Sequence, residues 1–275
     1  MMNIPAAQSG QHSAAALGDQ NKLGGPETVF TSESFSPRHY LSEYHTRWDD
    51  EDQFMARVLN QFYGQIPPQE TMIDVGSGPT IYQVISTRRC AREITMSDYL
   101  AGNREEIKKW MNAEEDAFNW DRTFTAYAEL EGNVASPEVL TQMKAELRAR
   151  FKGVVRCDVR KRQTLGADSQ KQYDIVSSHY VAESITNKET IFVRSLRNVI
   201  NLAKKDGYLL LSFLCESNQY QVGGTAFSAF PFRISFLMSL LEALNCEILE
   251  SETLYCEAAV IHQHGPLLSL LARRR

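Results

Sequence analysis

The chain lacks most of the features that place a protein quickly in a class. Its 275 residues include only five cysteines, Cys90, Cys157, Cys215, Cys246 and Cys256, with no CxxC pair among them. An odd number without that spacing argues against both a zinc site and a disulfide framework, and reduced thiols in a cytoplasmic protein are expected instead. Long apolar runs are missing too. No stretch approaches the length of a membrane span, and the N-terminal residues show no charged-then-apolar signal, so a soluble protein with no membrane partner is expected. Positive charge is not in excess. The 29 Lys and Arg against 34 Asp and Glu leave a formal net charge of −5, which argues against nucleic acid as the main partner. The closing run Arg273-Arg274-Arg275 reads as a solvated tail. No metal-ligand constellation and no internal repeat is visible, and His262 and His264 stand without a partner motif.

What is present is an ordinary globular balance, 43% hydrophobic and 23% charged residues, enough for one α/β domain with a full core. Residues 1–30 are rich in Ala, Gln, Gly, Ser and Asn without a period, and read as a disordered leader; residues 31–275 are expected to form a single domain. Phe35 to Tyr44 has the pattern of a helix, with Pro37 in its first turn and Tyr40 and Tyr44 on one face. A second amphipathic helix is expected from Glu51 to Tyr63, stopped by Pro67-Pro68. Short apolar strands follow at 72–75, 94–97, 154–157, 173–178 and 207–213, and two more near 247–254 and 267–272. Helices are expected at 80–87, 103–111, 136–151, 191–203 and 236–244. Strands alternate with helices throughout, so the chain reads as a three-layer α/β sandwich around a mostly parallel, seven-stranded sheet.

The chemistry gathers at strand ends. Asp74-Val-Gly76-Ser77-Gly78-Pro79-Thr80 joins a strand to a helix, where glycines let the backbone approach a ligand and a helix N-terminus offers unpaired N–H groups. A dinucleotide fingerprint would have a third glycine at position 81, which is Ile81. A ligand with one nucleoside and a small zwitterionic arm fits better than a pyrophosphate. Asp98 ends the second strand, twenty positions after Gly78, where an acidic side chain accepts from both ribose hydroxyls. Asp158 ends the third, placed to accept from an adenine amine while Val159 packs on the ring. Taken singly, a GxG turn or a strand-ending aspartate is often only a turn or a helix cap. Their succession along one sheet edge points to a nucleoside site.

The stretch Ile73-Asp-Val-Gly-Ser-Gly-Pro-Thr-Ile-Tyr-Gln83 closely resembles the cofactor loop of the small-molecule amine N-methyltransferases, the family of the nicotinamide, phenylethanolamine and indolethylamine enzymes. Further similar segments are Phe35–Tyr44, Ser97-Asp98-Tyr99 with Asn103, Ala117–Trp120, Leu130–Asn133, Arg156–Val159, Ser195–Asn198 and Leu268–Arg273. The resemblance spans residues 34 to 273. It implies a Rossmann-like class I methyltransferase using S-adenosyl-L-methionine, with residues 31–66 as an N-terminal lid; a monomer is expected. It implies Tyr40 and Tyr44 over the cofactor, Gly76, Ser77, Gly78, Thr80 and Tyr82 around its methionine arm, Asp98, Tyr99 and Asn103 at the ribose, and Asp158 and Val159 at the adenine. Tyrosine faces suit a sulfonium, because they stabilise the cation without a quenching counter-charge.

On the substrate side this chain departs from the nicotinamide-using branch. Phe213 stands where that branch has an aspartate, and Ala229 where a serine is common. Glu183 matches a glutamate of the phenylethanolamine branch that faces the substrate amine, with Glu216 near another acidic position and Tyr220 beyond it. The expected substrate is a small cationic amine, contacted by Tyr40, Tyr180, Glu183, Phe213, Glu216 and Tyr220, with Glu183 and His179 as candidate proton acceptors. Two alternatives remain: a guanidino-bearing amine of specialised metabolism, as in a guanitoxin-type pathway, and a cofactor-binding regulatory protein without turnover. Deleting residues 1–30 should leave turnover intact in an activity assay, whereas truncation through residue 46, which removes Tyr40 and Tyr44, should abolish it.

Overall fold

The computed structural model describes residues 34–166, 171–255 and 265–275. The expected leader, together with Cys256, His262 and His264, lies outside the described residues. Two helices come first, α1 (Pro37–Tyr44) and α2 (Asp50–Gln65). Each starts where the sequence supplies a cap: the Ser36 hydroxyl accepts from the His39 N–H, and Asp49 with Asp52 forms a reciprocal capping box. The core then alternates β1 (Gln69–Val75), β2 (Ala91–Asp98), α3 (Ala101–Met111), α4 (Asp121–Leu130), α5 (Pro137–Arg150), β3 (Phe151–Arg156), β4 (Tyr173–His179), α6 (Glu189–Ile200) and β5 (Ala203–Leu214). A hairpin, β6 (Gln219–Val222) and β7 (Thr225–Ser228), precedes α7 (Ile234–Ala243), β8 (Cys246–Leu254) and β9 (Leu267–Arg274).

The sheet has seven strands in the order β3-β2-β1-β4-β5-β9-β8. The first five run parallel, and β9 pairs antiparallel with both β5 and β8. The chain winds outward from β1 to β3, then returns to the other side of β1 as β4. That reversal opens a crevice beyond the carboxyl ends of β1 and β4, the place where open α/β sheets bind ligands.

Alternation along the strands divides the interior in two. Met72, Ile175 and Leu210 join a core formed with α2, α3, α4 and α5, while Ile73, Val176, Leu209 and Leu211 join one formed with α6 and α7. A third, smaller cluster of Phe35, Leu100, Val222 and Phe227, packed by Tyr40, Tyr44, Tyr99 and Tyr220, joins α1 to the hairpin.

Several elements differ from the sequence expectation. The helix expected at 80–87 is a 3-10 helix, Tyr82–Arg89. The Thr80 hydroxyl donates to Ser77 O, and the Gln83 amide donates to the Asp74 carboxylate and to Ser77 O, which holds the chain in a loop past Thr80. Strand β3 starts at Phe151, taking the last residue expected of α5, and ends at Arg156, so Cys157 and Asp158 lie just beyond it. Helix α6 stops at Ile200 because Ala203 already belongs to β5. Helix α4 and the hairpin are additional elements.

Helix α4 is tied to the sheet by charge. Arg88 of the 3-10 helix forms a two-pronged ion pair with Glu131, which caps α4, and both side chains are about 95% buried (5% and 6% exposed). Removing Glu131 leaves the buried Arg88 only the half-exposed Glu146, 3.5 Å from its Nε, so Glu131→Ala should cost ~3 kcal/mol in denaturant unfolding.

Candidate active site

The glycine turn after β1 is built by sterics. Gly76 has φ +73°, and a Cβ there would lie 2.4 Å from a Val181 methyl, so no side chain fits. The N–H groups of Gly76 and Ser77 both donate to Ser97 O at 2.8 and 2.9 Å, and that of Gly78 donates to Asp98 Oδ2 at 2.9 Å. The turn amides, expected to face a ligand unpaired, are therefore spent on β2. This loop is no anion cradle, in keeping with the missing third glycine. The outer side of the turn is open: Gly78 has φ +62° and a Cβ there would meet nothing within 4 Å.

Asp98 is buried and takes three donors, Gly78 N, Leu100 N at 2.8 Å and the Asn103 amide at 3.0 Å. Burial pushes its carboxyl above the usual range, opposed by these hydrogen bonds. A carboxylate offers about four acceptor sites, so capacity remains for a ligand hydroxyl. The buried Asn103 Oδ1 has no partner among the described residues. An orphaned acceptor beside a partly engaged carboxylate fits a ribose edge.

At the next strand end, Asp158 is engaged by Arg160, whose guanidinium lies 2.8 and 3.2 Å from its two oxygens. Burial works against the carboxylate, but Arg160 outweighs it and holds Asp158 below its ordinary value. Arg160 also stacks 4.7 Å over the Tyr99 ring. The buried Asn198 side chain donates to Val159 O at 2.8 Å and fixes the backbone there.

Helix α1 and the β6–β7 hairpin meet over the same crevice. Tyr40 and Tyr44 stack with ring centroids 4.8 Å apart, and the Tyr44 hydroxyl donates to Gln221 O of the hairpin at 2.6 Å. Burial pushes the phenols of Tyr40, Tyr82, Tyr180 and Tyr220 up, so all stay neutral. Tyr220 stacks on Phe227, and the Tyr180 hydroxyl meets the Met55 sulfur at 2.9 Å. These walls enclose a cavity of about 760 Å³, within the range of small-ligand sites. All twelve residues expected at the cofactor line it, together with His179, Tyr180 and Tyr220.

Three expected substrate residues do not. Phe213 is buried in the α6–α7 core, edge-on to Phe232; alternation along β5 turns it away, and its neighbour Leu214 lines the cavity. Glu216 is exposed at φ +57° on the loop after β5 and is not on the cavity wall. Glu183 is fully buried just behind the wall, between the lining residues Val181 and Ser184. The acidic residues that line the cavity from the two N-terminal helices are Glu43, Asp49, Glu51 and Asp52. The last three belong to a helix start, Asp49-Asp-Glu-Asp52, whose acids read in sequence as capping alone.

His179 donates to or accepts from Ser212 through Nδ1 at 2.8 Å, while its buried Nε2 has no partner. Burial lowers its pKa to about 4, so at neutral pH it is an uncharged hydrogen-bonding group and a weak proton acceptor. Replacing Asp98 with Ala removes the acceptor of Gly78 N, Leu100 N and the Asn103 amide, so it should lower the melting temperature. At a temperature where the variant is still folded, it should reduce S-adenosylhomocysteine affinity by ~10-fold or more, read by calorimetry. Unchanged affinity would show that Asp98 serves only the turn.

The NNMT/PNMT/TEMT family model matches residues 26–275. Nicotinamide N-methyltransferase of Homo sapiens is 34% identical over 218 residues, covering 74% of this chain and 81% of that protein. Indolethylamine N-methyltransferase of Oryctolagus cuniculus is 33% identical, over 70% of this chain and 75% of that protein. Phenylethanolamine N-methyltransferase of Mus musculus is 30% identical, over 79% and 76%. Among solved structures, magnesium protoporphyrin IX methyltransferase of Synechocystis PCC 6803 with bound S-adenosylmethionine shares the fold, with a TM-score of 0.52 at 14% identity, covering 86% of this chain and 90% of that one. Neither the guanidino-specific nor the turnover-free alternative finds support in these relatives. The chain belongs to the NNMT/PNMT/TEMT family, and is an S-adenosylmethionine-dependent N-methyltransferase of the Rossmann-like class I fold.

Proposed function

We propose that the enzyme methylates the nitrogen of a small amine that arrives as a cation, and that Glu183, set just behind the cavity wall, is the final acceptor of the proton the nitrogen must lose. The observation that carries this reading is the state of Glu183. One carboxylate oxygen accepts from Leu214 N at 2.8 Å, and the other is buried with no partner among the described residues. Burial raises its pKa to about 7, which suits a group that exchanges protons near neutral pH. When bound, the cofactor supplies an electrophilic methyl group on a sulfonium.

The chain's own residues supply position. Asp98, Tyr99 and Asn103 would hold the ribose, Val159 and Asp158 the adenine once Arg160 gives way, and Gly76, Ser77, Gly78, Thr80 and Tyr82 the methionine arm. Tyr40, Tyr44, Tyr180 and Tyr220 would surround the reacting centre with neutral rings. Such orientation accounts for ~7–11 kcal/mol of barrier in favourable cases. The lid and hairpin, joined through Tyr44 and Gln221, exclude water. His179 would orient the amine as an uncharged partner, and Glu51 and Asp52 provide the negative wall for which Glu216 is wrongly placed. Since β5 presents the apolar Leu214 to the cavity and turns Phe213 into the core, it offers no acceptor for an amide, and neutral aromatic amines such as nicotinamide should be poor substrates.

Glu183→Gln keeps the shape and removes the charge. It should weaken use of a cationic amine by ~10- to 150-fold in kcat/KM, with S-adenosylhomocysteine affinity unchanged; equal turnover of wild type and variant would refute the role. Stability gives a second readout. A carboxyl whose folded pKa is raised binds more protons folded than unfolded, so it costs stability as pH climbs from the ordinary glutamate value through about 7. The melting temperature of Glu183→Gln should therefore gain on that of wild type across this window.

A further inference from the structure

One row of side chains across the apolar central strands is polar. His179 ends β4, Ser212 lies opposite it on β5, and Ser269 lies opposite Ser212 on β9. Their neighbours two positions away are Leu210, Leu214, Leu267 and Leu271, all in the core shared with α2. Both serines are buried. His179 Nδ1 meets Ser212 Oγ at 2.8 Å, and Ser212 Oγ meets Ser269 Oγ at 2.8 Å. Ser269 Oγ then donates to the Met55 sulfur of α2 at 3.5 Å.

The far end of this row sets its direction. A thioether sulfur only accepts, and a serine hydroxyl has one proton to give. Ser269 spends its proton on Met55, so it accepts from Ser212. Ser212 in turn accepts from His179. Nδ1 therefore carries the ring proton, and Nε2 is a bare lone pair. That Nε2 is buried without a partner among the described residues, and His179, Met55 and Tyr180 line the cavity. Burial lowers the ring's pKa to about 4, so at neutral pH the lone pair stays free. A buried acceptor left without a donor is unfavourable, so a ligand filling this space should bring an N–H.

We infer that His179 sets how far the proposed methylation goes: Nε2 holds an N–H of the reacting nitrogen, so primary and secondary amines are methylated and the reaction ends at the tertiary amine. This rests on the reading that an amine nitrogen is methylated in this cavity. Ser212, Ser269 and Met55 are positioning residues, acting through the tautomer of the ring. In the neutral amine the nitrogen lone pair forms the new N–C bond, and the C–S electron pair leaves with the sulfur. An N–H left on a primary or secondary nitrogen stays on Nε2 meanwhile, and its bond strengthens as the nitrogen turns positive. The product ammonium then loses one proton to water. A tertiary amine arrives with a single N–H and binds, but freeing its lone pair removes that N–H. Its reactive form leaves Nε2 unpaired, and a site built around a hydrogen bond rejects the analogue that lacks it.

Two measurements on the full chain test this. Nitrogen NMR of the isotope-labelled protein reads the tautomer, with the His179 signals assigned by their loss in His179→Asn. Wild type should show Nδ1–H and a bare Nε2. In Ser269→Ala the Ser212 proton can turn only to Nδ1, so the Nε2–H form should appear. An Nε2–H wild type overturns the inference. S-adenosylhomocysteine alone should leave the Nε2 signal in place; if it moves that signal as far as an amine does, the acceptor serves the cofactor and the inference falls. The second measurement is turnover of butylamine, benzylamine and 2-phenylethylamine, each as the primary, N-methyl and N,N-dimethyl form. For the skeleton used best, kcat/KM should fall ~10- to 150-fold from the secondary to the tertiary amine, mostly in kcat, since the tertiary cation still binds. Ser269→Ala keeps the ring's volume and should cost the primary and secondary amines about tenfold or more, so that the preference collapses. His179→Asn, which keeps a donor toward Ser212 and lacks the Nε2 position, should do the same. A quaternary product formed as fast as the tertiary one, or a preference that survives both variants, overturns the inference. If no amine of the panel is methylated, the amine reading itself fails, whatever the tautomer.

Discussion

Three hydrogen bonds converge on the carboxylate of Asp98, and the organisation of the site follows from them. Gly78 N binds it from the turn after β1, while Leu100 N and the Asn103 amide bind it from the start of α3. One side chain at the end of β2 thus fixes the turn, its own strand and the next helix relative to one another. Burying a carboxylate is costly unless it is satisfied, so these three partners are needed for the fold before any ligand arrives. The geometry proposed above for the cofactor's ribose is obtained from a structural requirement.

The same economy holds at the lid. Tyr44 joins the hairpin through Gln221, and Gly223 N donates to the Glu43 carboxylate at 2.9 Å. Residues separated by 177 and 180 positions are thereby clasped over one cavity. At Gly223, φ is +56° and a Cβ would come within 2.9 Å of the His39 ring, so close approach of lid and hairpin depends on the absence of a side chain. The cover carries its own chemistry, since Tyr40, His45 and Asp52 all face inward from it.

Much of this was legible in the sequence. Strand runs such as Gly207–Phe213 carry their signal in their own residues, and Asp98 and Asp158 with the GxG turn pointed to residues that line one cavity. What stayed hidden depends on long-range packing. The hairpin had a usable sign in Gly223-Gly224, a two-residue turn between short alternating segments, and α4 had apolar Phe124, Tyr127 and Ala128 at helical spacing. The inward or outward sense of Phe213 and Glu216 could not be read so, because it depends on the register of β5 and on the loop leaving it. The lid acids and His45 become site residues only when α1 and α2 fold across the sheet edge.

The account's central claim is the direction in which the cofactor lies along that edge. A crystal structure of the complex with S-adenosylhomocysteine tests it most directly. The account predicts the ribose on Asp98, the adenine against Val159 with Arg160 moved off Asp158, and the amino-acid end beside Thr80 and Tyr82. A nucleoside found under the lid, with the carboxylate near Asp158, would contradict it.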